Sequence, residues 1–255
     1  CSEHFTGMLP QDMDTIAASI AMVRERIAAA ARRAGRPADA VRLVGVTKTH
    51  GPDVVAAAVA AGLHDLGENR VQEAEPKIEA LAGLRSQCRW HLIGHLQSNK
   101  ARRAATLFDT IQSVDSLRLA EVLSRAAGQA GRVLPVLLQV NVSGEASKEG
   151  FALAEWHTRQ PVFDAFAGDV EHILGLPHVR VEGLMTIAPF GTTPEQARPT
   201  FETTRALRDR LAERFPSAAW HELSMGMSGD FEVAIEEGAT IVRVGRALFG
   251  ARQSG

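Results

Sequence analysis

Lys48 stands at the end of an apolar run, RLVGVTKTH (residues 42–50), directly before a Gly51-Pro52 turn. Leu43, Val44 and Val46 read as a strand buried on both faces, with Gly45 admitting a close neighbour. An amine at the mouth of an apolar pocket loses hydration, so its pKa falls and it becomes nucleophilic, the setting a Schiff-base lysine needs. Taken alone, the residue also fits a surface lysine whose stem lies along the rim of the fold. A second segment bears on the choice. SMGMSGDFEVAIEEG (residues 224–238) reads as strand, glycine-containing turn and helix, with Ser228 or Asp230 able to cap the helix. Backbone N–H groups at such a turn, helped by the helix dipole, form an anion pocket. The next strand ends in Arg243-Val244-Gly245-Arg246, where Gly245 lets backbone approach a ligand closely.

The rest of the chain has to bring these groups together. An amphipathic helix opens it, from about Asp14 to Ala34, with Ile16, Ile20, Val23 and Ile27 at helical spacing and Gly35-Arg36-Pro37 ending it. Short apolar runs then alternate with helical segments such as DVVAAAVAAG (53–62). The candidate strands are LVGVT (43–47), HDLGE (64–68), WHLIGH (90–95), TIQSVD (110–115), PVLLQVN (135–141), RVEGLMTI (180–187), WHELSMG (220–226) and TIVRVG (240–245). Such βα repeats, without a linker or a break in composition, predict one α/β domain over residues 1–255. Its architecture is a single (β/α)8 TIM-type barrel with an extra N-terminal helix. An open doubly wound sheet is the alternative and would need fewer strands or a second domain. The stretch from Phe151 to His178 is longer than the other connections and has room for a helix plus a short excursion.

In such a barrel the functional residues lie at the C-terminal ends of the strands. Those ends offer Lys48, then Glu68 and Asn69, then His95, Gln97 and Ser98. Ser113 and Asp115, Asn141 and Ser143, and Met185 and Thr186 follow, and Ser224 to Ser228 and Arg243 with Gly245 complete the set. The loops after strands seven and eight, where phosphates usually bind, are those that carry Gly226 and Gly245. A phosphate site and a reactive amine on one face point to a phosphorylated aldehyde, pyridoxal 5′-phosphate.

The totals narrow the choices further. With 45% hydrophobic and 23% charged residues and a net charge of −2, nothing favours nucleic acid or an anionic membrane as partner. The longest apolar stretch, residues 54–63, is too short to cross a bilayer, and the N-terminus lacks the pattern of a secretory signal. Two cysteines, Cys1 and Cys88, make neither a disulfide framework nor a metal site, which favours a cytoplasmic setting. No tyrosine is present, so chemistry that needs a tyrosine base from this chain is excluded.

The segments LVGVTKTH (43–50), LGENRVQEA (66–74), WHLIGHLQSNKAR (90–102), IQSVDSLRLA (111–120), LLQVNVSGEASKEGF (137–151), VEGLMTIAP (181–189) and LSMGMSGDFEVAIEEGATIVRVGRALFG (223–250) span nearly the whole chain. On them the chain resembles the pyridoxal phosphate homeostasis protein family, single-domain relatives of the N-terminal barrel of alanine racemase. The resemblance implies that Lys48 forms the internal aldimine and that Asn69 lies near the cofactor. It implies that Ser224, Gly226 and Gly245 surround the phosphate and that Arg243 faces the pyridine nitrogen. Met185 reads as packing around the ring rather than doing chemistry. Arg70 stands where the family often has an aromatic or other residue. Arg246 stands where a small hydroxyl residue is usual beside the phosphate; its backbone N–H still donates, and its guanidinium adds a charge.

An arginine against the ring nitrogen donates a hydrogen bond and leaves that nitrogen without its own proton, which makes a weak electron sink. Two functions fit: a carrier that holds and releases the cofactor, or an amino-acid racemase. Candidate bases are few. His95 reads as a core histidine or a second base, and Lys148 as a solvated loop lysine able to take the cofactor transiently. The expectation is a monomeric carrier in cofactor homeostasis and amino-acid/keto-acid balance, with pyridoxal phosphate-dependent apo-enzymes as recipients.

Overall fold

The computed structural model describes residues 10–145 and 148–250. The helix α1 (Pro10–Arg33) precedes the barrel; it begins at Pro10, earlier than its hydrophobic spacing implies, because proline is tolerated in a first turn. Its buried stripe is Ile16, Ile20, Val23, Ile27, Ala30 and Ala31. At its end Gly35 takes φ +67 while the Arg36 N–H reaches back to the Ala31 carbonyl at 2.9 Å, a Schellman closure.

The barrel strands are β1 (Arg42–Val46), β2 (Asp65–Glu68), β3 (Arg89–Leu92), β4 (Thr110–Val114) and β5 (Leu134–Asn141). After a two-residue strand β6 (Phe151–Ala152) that only flanks β5 come β7 (Val179–Met185), β8 (Glu222–Ser224) and β9 (Ile241–Val244). All pair in parallel, β4 joins β5 and β9 returns to β1, so the sheet closes. This is the (β/α)8 barrel expected from the spacing. The long connection after β5 holds β6, a turn and then α6 (Gln160–Leu174), the helix and excursion its length allowed.

Most observed strands stop one to three residues before the apolar runs do, while β1, β3, β5 and β7 begin one residue earlier than theirs. The run 220–226 is the extreme case, because Trp220 buries its ring below the strand and donates Nε1–H to the Phe215 carbonyl, while Gly226 at φ +93 turns the chain away. The remaining helices are α2 (Pro52–Ala60), α3 (Val71–Ala80), α4 (Ala101–Leu107), α5 (Leu117–Gln129), α7 (Pro194–Arg214), α8 (Phe231–Glu236) and α9 (Arg246–Phe249). Most of the core lies between strands and helices, whereas Val44, Leu137, Met185 and Ile241 form a separate cluster inside the barrel. Among the described residues, no helix is long and apolar enough to cross a membrane.

At six residues α8 is too short to hold itself together, so its position depends on neighbours. Arg26 of α1 grips Glu232 with two bonds of 3.0 Å and lies over the Phe231 ring. Arg33 meets Glu236 at 2.8 Å, and Arg198 and Arg205 of α7 meet Glu237 at 2.7 and 2.9 Å. Each exposed pair contributes only about 0.2–1 kcal/mol, but as a set they fix the helix behind the glycine turn.

Candidate functional site

Because every barrel strand runs the same way, Lys48, Asn69, Ser224, Gly226, Arg243, Gly245 and Arg246 are delivered to one rim. Lys48 is half-buried, in a tight turn where the His50 N–H bonds the Thr47 carbonyl at 3.1 Å. Thr49 has φ +68, the one non-glycine residue with positive φ among the described residues. For a β-branched side chain that conformation is strained. The turn is pinned from behind. Thr47 is fully buried; its N–H bonds the Gly67 carbonyl, its hydroxyl donates to Glu68 Oε1 at 2.7 Å, and its carbonyl also accepts from Lys77 Nζ at 2.7 Å. Lys77 in turn meets Glu68 Oε1 at 2.5 Å, with both side chains buried between the barrel and α3. Glu68 therefore faces away from the rim and braces the lysine-bearing turn.

Arg243 projects into the barrel from β9 and is 4% exposed. Its Nη1 donates to Ser224 Oγ at 2.6 Å and its Nη2 to the Thr186 carbonyl at 2.8 Å. Burial lowers its pKa to about 10, partly offset through space by Asp230, so it stays a cation at neutral pH. No carboxylate among the described residues lies within ion-pair distance of it. Met185 is fully buried in the interior cluster and in register with Ser224. The Ser224 hydroxyl is committed as well: it accepts from Arg243 and donates to Gln112 Oε1 at 2.6 Å.

The glycine turn after β8 packs directly on α8. A Cβ on Gly226 would lie 2.7 Å from Ala234 Cβ and 2.8 Å from Phe231 Cα, so only glycine fits. The Asp230 carboxylate turns back to accept the Met227 N–H at 2.6 Å instead of capping the helix; burial raises its pKa, and its backbone bonds and the cations Arg243 and Lys148 oppose that rise. Two backbone N–H groups, of Gly245 and Ala247, converge on Ser228 Oγ at 3.3 and 3.4 Å. This is an oxygen-binding cradle, and it lies against the Lys48 strand: a Cβ on Gly245 would be 3.4 Å from Val46 Cβ. Ser228, expected among the strand-end residues and as a possible helix cap, is thus the hydroxyl at the cradle. Arg246 offers its side chain to solvent.

The other rim residues sort differently. Asn69 is half-buried, its side-chain amide makes no hydrogen bond among the described residues, and Gly94 packs on its backbone, where a Cβ would be 2.3 Å from the Asn69 carbonyl oxygen. His95 is not a core histidine: it is 47% exposed and its Nδ1 lies 3.0 Å from Asp115 and 3.8 Å from Glu149. Its strand ends at Leu92, which puts His95 in the loop that follows. Lys148 is not a solvated lysine either, since its ammonium donates to the Ala188 carbonyl at 3.1 Å and its side chain is 15% exposed. Cys1 lies outside the described residues.

The family model described as the alanine racemase N-terminal domain matches residues 19–253. The pyridoxal phosphate homeostasis protein of Aquifex aeolicus is 44% identical over 92% of this chain and 97% of its own length. That of Pseudomonas aeruginosa is 45% identical over 95% of this chain and 98% of its own. The structure of PipY from Synechococcus elongatus, solved with PLP bound, superposes with a TM-score of 0.78 at 38% identity, covering 92% of this chain and all of that one.

Proposed function

The chain belongs to the pyridoxal phosphate homeostasis proteins of the alanine racemase N-terminal domain family, and from that premise we propose that it holds pyridoxal 5′-phosphate at the C-terminal rim of its barrel and serves the supply of that cofactor. The observation that carries this reading is the donor set on one rim: a primary amine, a buried guanidinium with no carboxylate within ion-pair distance among the described residues, and two N–H groups converging on one oxygen position. A buried cation lacking a counter-ion is costly, and an anionic ligand with a ring acceptor offsets that cost. The cofactor, when bound, supplies an aldehyde for an amine and an electron-withdrawing ring.

Each residue has a part in holding it. Lys48 is the attachment point, placed by the turn that Thr47, Glu68 and Lys77 brace. The Gly245 and Ala247 N–H groups, Ser228, Arg246 through its backbone and the close turn at Gly226 take the phosphate. Arg243 has donors only and faces the ring nitrogen, a part that Ser224 supports from beneath it. Met185 closes the interior below, and Asn69 contributes a free amide beside the lysine. Nothing in this set removes a proton from an amino acid on the side opposite Lys48, which favours holding and release over turnover. The protein acts in this reading as a cytoplasmic monomer that passes cofactor to apo-enzymes.

The test is the visible absorbance of the purified protein incubated with pyridoxal phosphate, before and after borohydride, with peptide mapping. A yellow band that bleaches and leaves a pyridoxyl group on Lys48, and is lost in Lys48→Ala, is the expected result. A colourless, unlabelled protein overturns the reading. In the same preparation, no α-deuterium should enter any of a panel of amino acids from heavy water; exchange that depends on Lys48 would favour the racemase.

A further inference from the structure

Barrel interiors are normally filled by branched apolar side chains, yet here a file of buried polar groups crosses the barrel beneath the candidate site. It starts at Arg243 on β9 and passes through Ser224 on β8, Gln112 on β4 and His91 on β3 to Asp65 at the start of β2. The distances are 2.6, 2.6, 3.1 and 2.9 Å, and all five residues are buried. Asp65 ends the file beside Arg89, which donates to it at 2.9 Å and lines a cavity of about 500 Å³ at the opposite end of the barrel.

The chemistry of the groups gives this file a direction. Arg243 only donates, so Ser224 Oγ accepts from it and spends its own proton on Gln112 Oε1. That fixes the Gln112 amide, whose NH2 faces His91 Nδ1. Asp65 as a carboxylate only accepts, so His91 carries its proton on Nε2 and receives on Nδ1. Both ends demand the same polarity, and no member is left with two donors or two acceptors facing. Burial by itself would raise the Asp65 carboxyl, but the His91 hydrogen bond and the charge and hydrogen bond of the Arg89 guanidinium outweigh it and hold the group below the usual carboxylate range.

We propose that Gln112 and His91 are positioning residues that orient the Arg243 guanidinium through Ser224, with His91 held as the neutral Nε2–H tautomer. Without Gln112 the Ser224 hydroxyl loses its acceptor and turns, and Arg243 loses the fixed oxygen that sets one of its two bonds. The role toward a bound ring rests on the function proposed above; the orientation of Arg243 does not.

The experiment has two arms. In the cofactor-free protein, nitrogen-15 NMR reads the His91 ring and the Arg243 guanidinium in wild type, Gln112→Leu and Gln112→Glu. Wild type should show His91 protonated on Nε2 alone and slowly rotating, resolved Arg243 N–H signals. Gln112→Leu should collapse the Arg243 signals. Gln112→Glu still accepts from Ser224, so it should keep them while placing a second proton on His91 Nδ1. In the second arm each protein is loaded with pyridoxal phosphate, and the absorption maximum and its pH dependence are followed together with Lys48 labelling. Gln112→Leu should shift the band yet leave labelling at Lys48, with Gln112→Glu closer to wild type. Arg243 signals that do not differ between wild type and Gln112→Leu, or a His91 protonated on Nδ1 in wild type, would overturn the proposal. A wild-type protein that never takes up the cofactor overturns the function instead, and the first arm still decides the positioning role.

Discussion

Replacing Lys77 by methionine should cost the fold about 3–5 kcal/mol and should loosen the turn that carries Lys48. The magnitude follows from the surroundings of Glu68, whose side chain is fully buried. Its Oε1 receives Lys77 Nζ at 2.5 Å and the Thr47 hydroxyl at 2.7 Å, and its Oε2 has no hydrogen-bond partner among the described residues. Methionine matches the lysine stem but supplies no charge, leaving a buried carboxylate with one hydroxyl donor, the situation for which breaking a buried pair costs about 3–5 kcal/mol. The Thr47 carbonyl keeps the His50 N–H and loses the ammonium, so the turn survives with half its support. The assay is urea denaturation at neutral pH, paired with the rate at which borohydride fixes pyridoxal phosphate to Lys48. Lys77→Met should lower both stability and fixation rate. The double variant Lys77→Met/Glu68→Leu should regain most of the stability, because a well-packed apolar pair replaces a buried ion pair at little cost. It should not regain the fixation rate, since Thr47 then lacks both its anchors on that side. A single variant within about 1 kcal/mol of wild type, or a double variant no more stable than the single, would refute the reasoning.

Three further outcomes follow from the site. Gly226→Ala forces a Cβ to 2.7 Å from Ala234 Cβ at φ +93; adding the cost of left-handed backbone to that of overpacking predicts a loss of about 2–5 kcal/mol in urea melts, with cofactor retention falling alongside. Asp65 has a folded pKa below its usual 3.8, so it contributes stability above that value that is lost as pH falls through the folded pKa. The cost of Asp65→Asn, measured by denaturation across pH, should therefore be full at pH 7 and shrink toward zero in strong acid; a pH-independent cost would contradict it. Arg246→Ala should change pyridoxal phosphate retention on gel filtration by less than about tenfold, because its side chain faces solvent and its backbone N–H remains; a larger loss would place the guanidinium on the phosphate.

Much of this is legible in the sequence alone. Strand positions follow from apolar runs, and the barrel from their number and parallel βα spacing, because burial on both faces leaves so clear a trace. Strand ends were less clear, since side chains such as Trp220 are apolar and buried without belonging to a ladder. The rim residues were readable as a set, whereas the direction of each was not. Ser224 and Ser228 lie four residues apart in one motif, and nothing in their types says that the first points into the core file and the second to the Gly245 and Ala247 amides. The surroundings of His95 and Lys148 are not legible for one reason: a charged or imidazole side chain near an apolar run takes its environment from loops that come from elsewhere in the chain, here those carrying Asp115 and Ala188. Lys77 carries no signal of its own in the sequence, and only the placement of α3 over Thr47 makes it a brace.

The file from Arg243 to Asp65 marks the limit of such reading. Parity within a strand does say that His91 opposes Trp90 and Leu92, and that Gln112 opposes Ile111 and Ser113, so each polar residue shares a face with Asp65 or Ser224 in the closed sheet. That was an available signal, a polar residue at an inward position of an otherwise apolar strand, repeated in several strands. What parity does not supply is height. Whether inward residues meet depends on the stagger between strands, which closes β4 to β5 with a shift and sets Gln112 of β4 level with Ser224 of β8 across the barrel. The separations along the chain are 26, 21, 112 and 19 residues, so no local pattern links them. A buried polar group is tolerated only when its partners are complete; five inward polar residues in one barrel therefore imply that they satisfy one another, and the stagger decides in which order.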